Sequence, residues 1–119
     1  MGEGGTRLEA SVEGWLEHLA VERRLAGNTL SAYRRDLEAL SAWMAQAGVD
    51  RVEALDGEHL RGFIADGHRQ GLSGRSLQRR LSACRGLFGH MLRLGGIKAD
   101  PTTGLKAPKS PRKLPQVLD

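Results

Sequence analysis

The sequence predicts an all-α domain: a four-helix bundle of two helical hairpins with an extended C-terminal linker. Three observations carry this. Apolar residues recur at spacings of three and four in four separate stretches, the period of an amphipathic helix. Gly, Asn and Ser mark the joints between those stretches. No run alternates apolar and polar residues as a half-buried strand would, and all four prolines fall after Ile97.

Residues 1–7 read as a flexible glycine-rich lead-in, with neither the basic nor the apolar segment of a signal peptide. The first helix is expected over Leu8–Leu25, with Leu8, Val12, Trp15, Leu16, Leu19 and Leu25 on its apolar side. Glu9, Glu13, Glu17 and Glu22 crowd the other side, which should face water or a protein partner. Gly27-Asn28 supplies the stop and the turn. The second helix opens at Asn28 or Thr29, both good cap residues, and runs to about Ala47. Leu30, Tyr33, Leu37, Leu40, Trp43 and Met44 supply its buried side. Ser31 and Arg35 point away from it, with Asn28 at the mouth and Arg34 on the flank. An open helix N-terminus beside arginines is a ready phosphate site. The plainer alternative makes Arg34-Arg35 a solvated pair answering Asp36 and Glu38.

Val49–Leu55 connects to a third helix that starts at Asp56 or Gly57 and ends near Gly71, with Leu60, Phe63 and Ile64 as its apolar contacts. Ser73 and Gly74 form the turn into the fourth helix, which Gly95-Gly96 terminates. The stretch Leu72–Leu94 is the longest helical pattern and the most basic. Leu77, Leu81, Cys84, Phe88, Met91 and Leu92 form its apolar stripe. Arg75, Arg79, Ser82, Gly86, Gly89, His90 and Arg93 occupy the opposite face, which has no carboxylate. A purely cationic, locally flat face suits nucleic-acid phosphates. A glycine stripe can equally let two helices pack closely, since each mid-helix glycine costs about 1 kcal/mol relative to alanine. The domain is therefore placed at residues 8–97. Residues 98–119 are read as a basic, Pro-rich linker, studded with Lys98, Lys106, Lys109, Arg112 and Lys113, toward an absent further domain.

A chain of 119 residues with 39% hydrophobic and 27% charged residues can bury one core. No apolar run approaches the roughly 20 residues of a membrane span. The lone Cys84 cannot form an internal disulfide and reads as a small buried hydrophobe in a reducing cytoplasm. Residues 1–70 hold eight Lys/Arg against twelve Asp/Glu, a net of −4. Residues 71–119 hold ten against two, a net of +8. That asymmetry points to a polyanionic partner. The histidines His18, His59, His68 and His90 lack metal-ligand spacing. There is no phosphate-cradling Gly-rich loop and no nucleophile elbow. Tyr33 belongs to the buried stripe. No catalytic residue, metal, cofactor or small-molecule ligand is expected, and no enzymatic activity from this chain alone.

Taken together, LAGNTLSAYRRDLEAL, GLSGRSLQRRLSACRGLF and GGIKADPTTGLKAPKSPRKLP resemble the N-terminal core-binding domain of Xer-type tyrosine recombinases. The APKSPRKLP run is more similar to the C-type than to the D-type. The resemblance covers about Leu8 to Asp119. It implies a SAM-like helical bundle that covers one face of double-stranded DNA, with its second and fourth helices crossing the major groove. A linker would lead to a separate catalytic domain, whose tyrosine forms a covalent link to a DNA 3′-phosphate; Tyr33 does not match that nucleophile. It further implies partner recombinase subunits in a tetrameric synapse, contacts between N-terminal domains to which the acidic first helix could contribute, and chromosome dimer resolution before cell division. The expected DNA-binding residues are Asn28, Thr29, Ser31, Arg34, Arg35, Arg75, Arg79, Ser82, Arg93, Lys106, Lys109, Arg112 and Lys113. Two alternatives stay open: a phage or mobile-element integrase, and a helical adaptor whose basic face docks on an acidic protein.

Overall fold

A computed structural model describes residues 8–106. It contains α1 (Leu8–Glu22), α2 (Gly27–Ala47), a single 3-10 turn (Val52–Ala54), α3 (Gly57–Arg69) and α4 (Gly74–Arg93). No strand occurs among the described residues. The all-α expectation holds, with two helical hairpins packed together. α4 is the central element, packing against each of the other three helices, while α1 also packs along α2.

Leu8, Val12, Trp15, Leu16 and Leu19 bury one stripe of α1, and Leu37, Leu40 and Met44 bury the matching side of α2. Leu60, Phe63 and Ile64 close the core from α3. Val49, Val52 and Leu55 pin the α2–α3 connection. The caps explain the boundaries. Asp56 accepts the His59 backbone N–H at 2.9 Å, and His59 Nδ1 accepts the Asp56 N–H at 3.2 Å, a reciprocal box that starts α3. Ser73 accepts the Ser76 N–H at 3.1 Å and starts α4. Gly48 ends α2 in the left-handed region at φ 78°, where a Cβ would be strained.

Several expectations need correction. α1 stops at Glu22, not Leu25. Arg24 takes a left-handed φ of 53°, and the chain turns there so that Leu25 packs back on the core. α2 begins at Gly27, so Asn28 and Thr29 lie inside its first turn. The cap position is Ala26, which has no side-chain bond to offer. On α4, Leu92 is 41% exposed, whereas Ala83 and Leu87 are fully buried. A helix covered by one neighbour buries a narrow stripe. α4 is covered on several sides, so its apolar arc widens toward Ala83 and Leu87 and leaves Leu92 beyond its edge.

The chain also does not leave the domain at Lys98. Ile97, Thr102 and Leu105 are buried. The Asp100 carboxylate accepts the Thr102 N–H at 2.8 Å and its hydroxyl at 2.6 Å. Thr103 Oγ1 donates to the Asp100 carbonyl. Arg85 of α4 donates to the Leu105 carbonyl. The Asp-Pro-Thr-Thr-Gly turn thus returns two apolar residues to the bundle, and any extended linker starts after Leu105.

Candidate nucleic-acid interface

Of the residues singled out in the sequence, Asn28, Thr29, Ser31 and Arg35 lie on α2 and Arg75, Arg79, Ser82 and Arg93 on α4, two helices that pack together. The tie between α2 and α4 is a part-buried ion pair. Arg79 of α4 donates from Nε at 2.8 Å and Nη2 at 2.9 Å to the two carboxylate oxygens of Asp36 on α2. Asp36 is 1% exposed, and its hydrogen bond holds the Arg79 guanidinium above its ordinary pKa. Two parallel charge-assisted bonds fix both groups in orientation as well as distance. Arg80 approaches the same carboxylate at 3.6 Å and lies over the Phe63 ring, 4.9 Å from its centre. The Arg80 Nε itself has no hydrogen-bond partner among the described residues.

This corrects two expectations. Asp36 is not a solvated answer to Arg34-Arg35. It lies a turn after Tyr33 and a turn before Leu40, at the edge of the buried stripe. That register was the available signal. Arg79 is not a free surface cation either, because half of its guanidinium is committed to Asp36. The cation-only face of α4 is interrupted further along. Gly86 is packed under the Trp15 ring of α1, and His90 lies against His18 with ring centres 4.9 Å apart. The close-packing use of glycine therefore holds at Gly86, while Gly89 meets only Arg93 of its own helix.

What stays open lies around the ion pair. Arg75 and Ser82, one turn before and one turn after Arg79, are exposed, and so is Arg93 at the end of α4. Arg35, beside Asp36 on α2, is exposed, as are Asn28 and Ser31; Thr29 is half-buried. No salt bridge engages Arg35, Arg75 or Arg93 among the described residues. Arg34 is turned the other way, paired with Glu13 of α1. That bond holds the Glu13 carboxyl below its ordinary range. Lys106 is exposed. Lys109, Arg112 and Lys113 lie outside the described residues. The sequence reading passed over Gln78 and Arg85, which share the exposed strip of α4 with Arg75 and Ser82.

The Tyr33 ring is stacked on Trp15, 5.5 Å between centres. Among the described residues no group of three or more His, Cys, Asp or Glu could hold a metal ion. A groove of about 670 Å³ between α2 and α3 is open and walled by Trp43, Phe63 and Arg80. Trp43 Nε1 is already satisfied there by Asp66 at 2.7 Å.

The family model described as "Phage integrase, N-terminal SAM-like domain" matches residues 12–95, from within α1 to the end of α4. The chain belongs to this family. As a phage-integrase SAM-like domain it is similar to proteins named tyrosine recombinase XerC. One, from Xanthomonas campestris pv. campestris (strain B100), is 50% identical over 118 residues, covering 99% of this chain and 37% of the relative. Another, from Xylella fastidiosa (strain 9a5c), is 51% identical over 108 residues, covering 91% of this chain and 37% of the relative. A third, from Pseudomonas aeruginosa (strain LESB58), is 50% identical over 112 residues, covering 94% and 37%. The SAM-like domain described here thus spans a little over a third of the length of these relatives. No helix among its described residues is long and apolar enough to cross a membrane.

Proposed function

We propose that this chain is the DNA-binding N-terminal domain of a C-type Xer tyrosine recombinase, acting in site-specific recombination and chromosome dimer resolution in the cytoplasm. The duplex lies across α2 and α4. The observation that carries this is the exposed set Arg35, Arg75 and Ser82 around the α2–α4 crossing, whose arginines have no carboxylate of the protein against them among the described residues. Such cations lose less by meeting a phosphate than cations already paired, because no existing bond has to break. Asn28 and Ser31 at the start of α2 add short polar groups beside a helix end that no side chain caps. Arg93 at the end of α4 and Lys106 add exposed cations, and Lys109, Arg112 and Lys113 follow them in the sequence. Arg34, tied to Glu13, and the half-buried Thr29 are secondary members of the set.

In this reading the covalent chemistry belongs to a catalytic domain of the parent protein. Its relatives' names support that class. The domain would work beside partner recombinase subunits in a tetrameric synapse.

The test is a titration of a labelled duplex by the wild-type chain, Arg35→Ala and Arg75→Ala at several salt concentrations. Binding should weaken steeply with salt, by about 0.9 log unit per log unit of salt for each phosphate contact, and each variant should lower that slope by about one contact. Salt-independent binding, or variants indistinguishable from wild type, would count against the reading. A folded chain indifferent to duplex but forming a defined complex with an acidic protein would favour the adaptor instead.

A further inference from the structure

A buried carboxylate is an unexpected neighbour for a surface that meets a polyanion. Long-range electrostatics alone would select against Asp36, since its charge weakens attraction to DNA. The geometry offers a reason for its presence. Arg79 gives Asp36 its Nε and Nη2, which form one edge of the planar guanidinium. The remaining nitrogen, Nη1, lies on the other edge, and the Arg79 side chain is still 39% exposed. A free arginine sweeps many rotamers and loses that freedom when it binds. An arginine clamped along one edge has lost it already. The clamp holds Arg79 in the turn of α4 between exposed Arg75 and Ser82, against Asp36, whose chain neighbour Arg35 is exposed. Arg80, 13% exposed, brings a second guanidinium to the same carboxylate. Two cations against one anion leave the cluster with a positive balance, so Asp36 orients Arg79 without cancelling its attraction for phosphate.

Resting on the DNA-binding reading above, we propose that Asp36 is a positioning residue for that function, holding Arg79 so that its outer guanidinium edge is pre-aimed at a backbone phosphate of the duplex. The rival is that Asp36 and Arg79 only staple α2 to α4. The two accounts give opposite signs. Asp36→Asn makes the domain more positive by one charge, so a staple that leaves DNA contacts alone predicts equal or tighter binding once the variant is folded. Positioning predicts weaker binding despite the added charge. A lysine at position 79 keeps the charge but can serve Asp36 or the phosphate, not both.

The experiment measures duplex affinity by fluorescence anisotropy for wild type, Asp36→Asn, Arg79→Ala, the double variant and Arg79→Lys. Thermal melts establish that each is folded at the assay temperature. Arg79→Ala should weaken binding about tenfold, the scale of one lost charge-assisted hydrogen bond. Asp36→Asn should weaken it severalfold, and the double variant should be no weaker than Arg79→Ala, because Asp36 acts through Arg79. Arg79→Lys should fall near Arg79→Ala. Asp36→Asn binding as tightly as wild type, or losses that multiply in the double variant, would overturn the proposal. Should Asp36→Asn fail to fold, Arg79→Lys decides alone, and wild-type affinity there rejects the positioning role. Arg35→Ala and Arg75→Ala separate the two levels. If they weaken binding while Asp36→Asn and Arg79→Lys do not, only the positioning role fails. If the folded wild type shows no salt-dependent binding, the DNA reading fails and takes this one with it.

Discussion

Gly14 and Gly86 both sit in helix interiors, yet substitution should move stability in opposite directions. A Cβ at Gly14 meets nothing within 4 Å, so Gly14→Ala should stabilise by about 0.5–1 kcal/mol through reduced backbone freedom in the unfolded chain. A Cβ at Gly86 would overlap the Trp15 ring. The ring is buried and cannot swing clear, so the same propensity gain is outweighed, and Gly86→Ala should cost about 1–3 kcal/mol net. Denaturant melts of the two variants check both signs. Burial pushes the Cys84 thiol up to about 12, so it should resist alkylation at neutral pH until the chain is unfolded; rapid labelling of the native protein would contradict its placement. Burial, with His18 and Arg93 nearby, holds the His90 imidazole below its ordinary pKa. As pH falls, the unfolded chain takes up that proton first. The folded state therefore loses stability as pH drops below the ordinary value toward the lower folded one, with no such loss above it. Melting temperatures between about pH 7.5 and 5 should fall less for His90→Gln than for wild type. At this scale the sequence showed that Cys84 is core and that Gly86 wants a close neighbour. The register of Asp36 was the one hint of its burial, and it was outweighed because a carboxylate at the edge of an apolar stripe reads as solvent-facing until its arginine partners arrive from a helix 43 residues along.

The boundaries of α3 and α4 were legible at the level of elements because Asp56 and Ser73 announce them chemically. The start of α2 was misplaced because Ala26 carries no such signal. The face of α4 was read from one helix in isolation. Two of its positions, Gly86 and His90, belong to the α1 contact, and no periodicity argument says which neighbour a residue will meet. The segment after Ile97 was misread for a related reason. Proline and lysine suggested extended chain, but Ile97, Thr102 and Leu105 are spaced to return to the bundle around a turn that Asp100 organises. The Arg85 bond to the Leu105 carbonyl is the side-chain tie from α4 to that strap. Arg85→Ala combined with Leu105→Ala should speed amide exchange over residues 97–105 while the protected amides of α2 and α4 change little. Uniform acceleration across the bundle would mean that the strap is an integral part of the cooperative fold.

Over the whole molecule, charge and shape divide the work. The acidic residues of the first half include Glu9, Glu13, Glu17 and Glu22 on α1, while the +8 balance of residues 71–119 begins on α4. The asymmetry was visible in composition alone. What composition could not supply was the packing of α2 against α4, fastened by the Asp36–Arg79 ion pair, with Arg35 next to Asp36 in the chain and Arg75 and Ser82 one turn from Arg79. A map of where duplex DNA touches the domain tests that arrangement most directly. Adding a short duplex to the isotope-labelled chain and following backbone amide resonances should shift Asn28–Arg35 and Arg75–Ser82. The outer side of α1 around Glu9 and Glu17, and the exposed side of α3 around Arg61 and Arg69, should stay where they are. Shifts centred on α1 or α3, with the α2–α4 residues unmoved, would contradict the account.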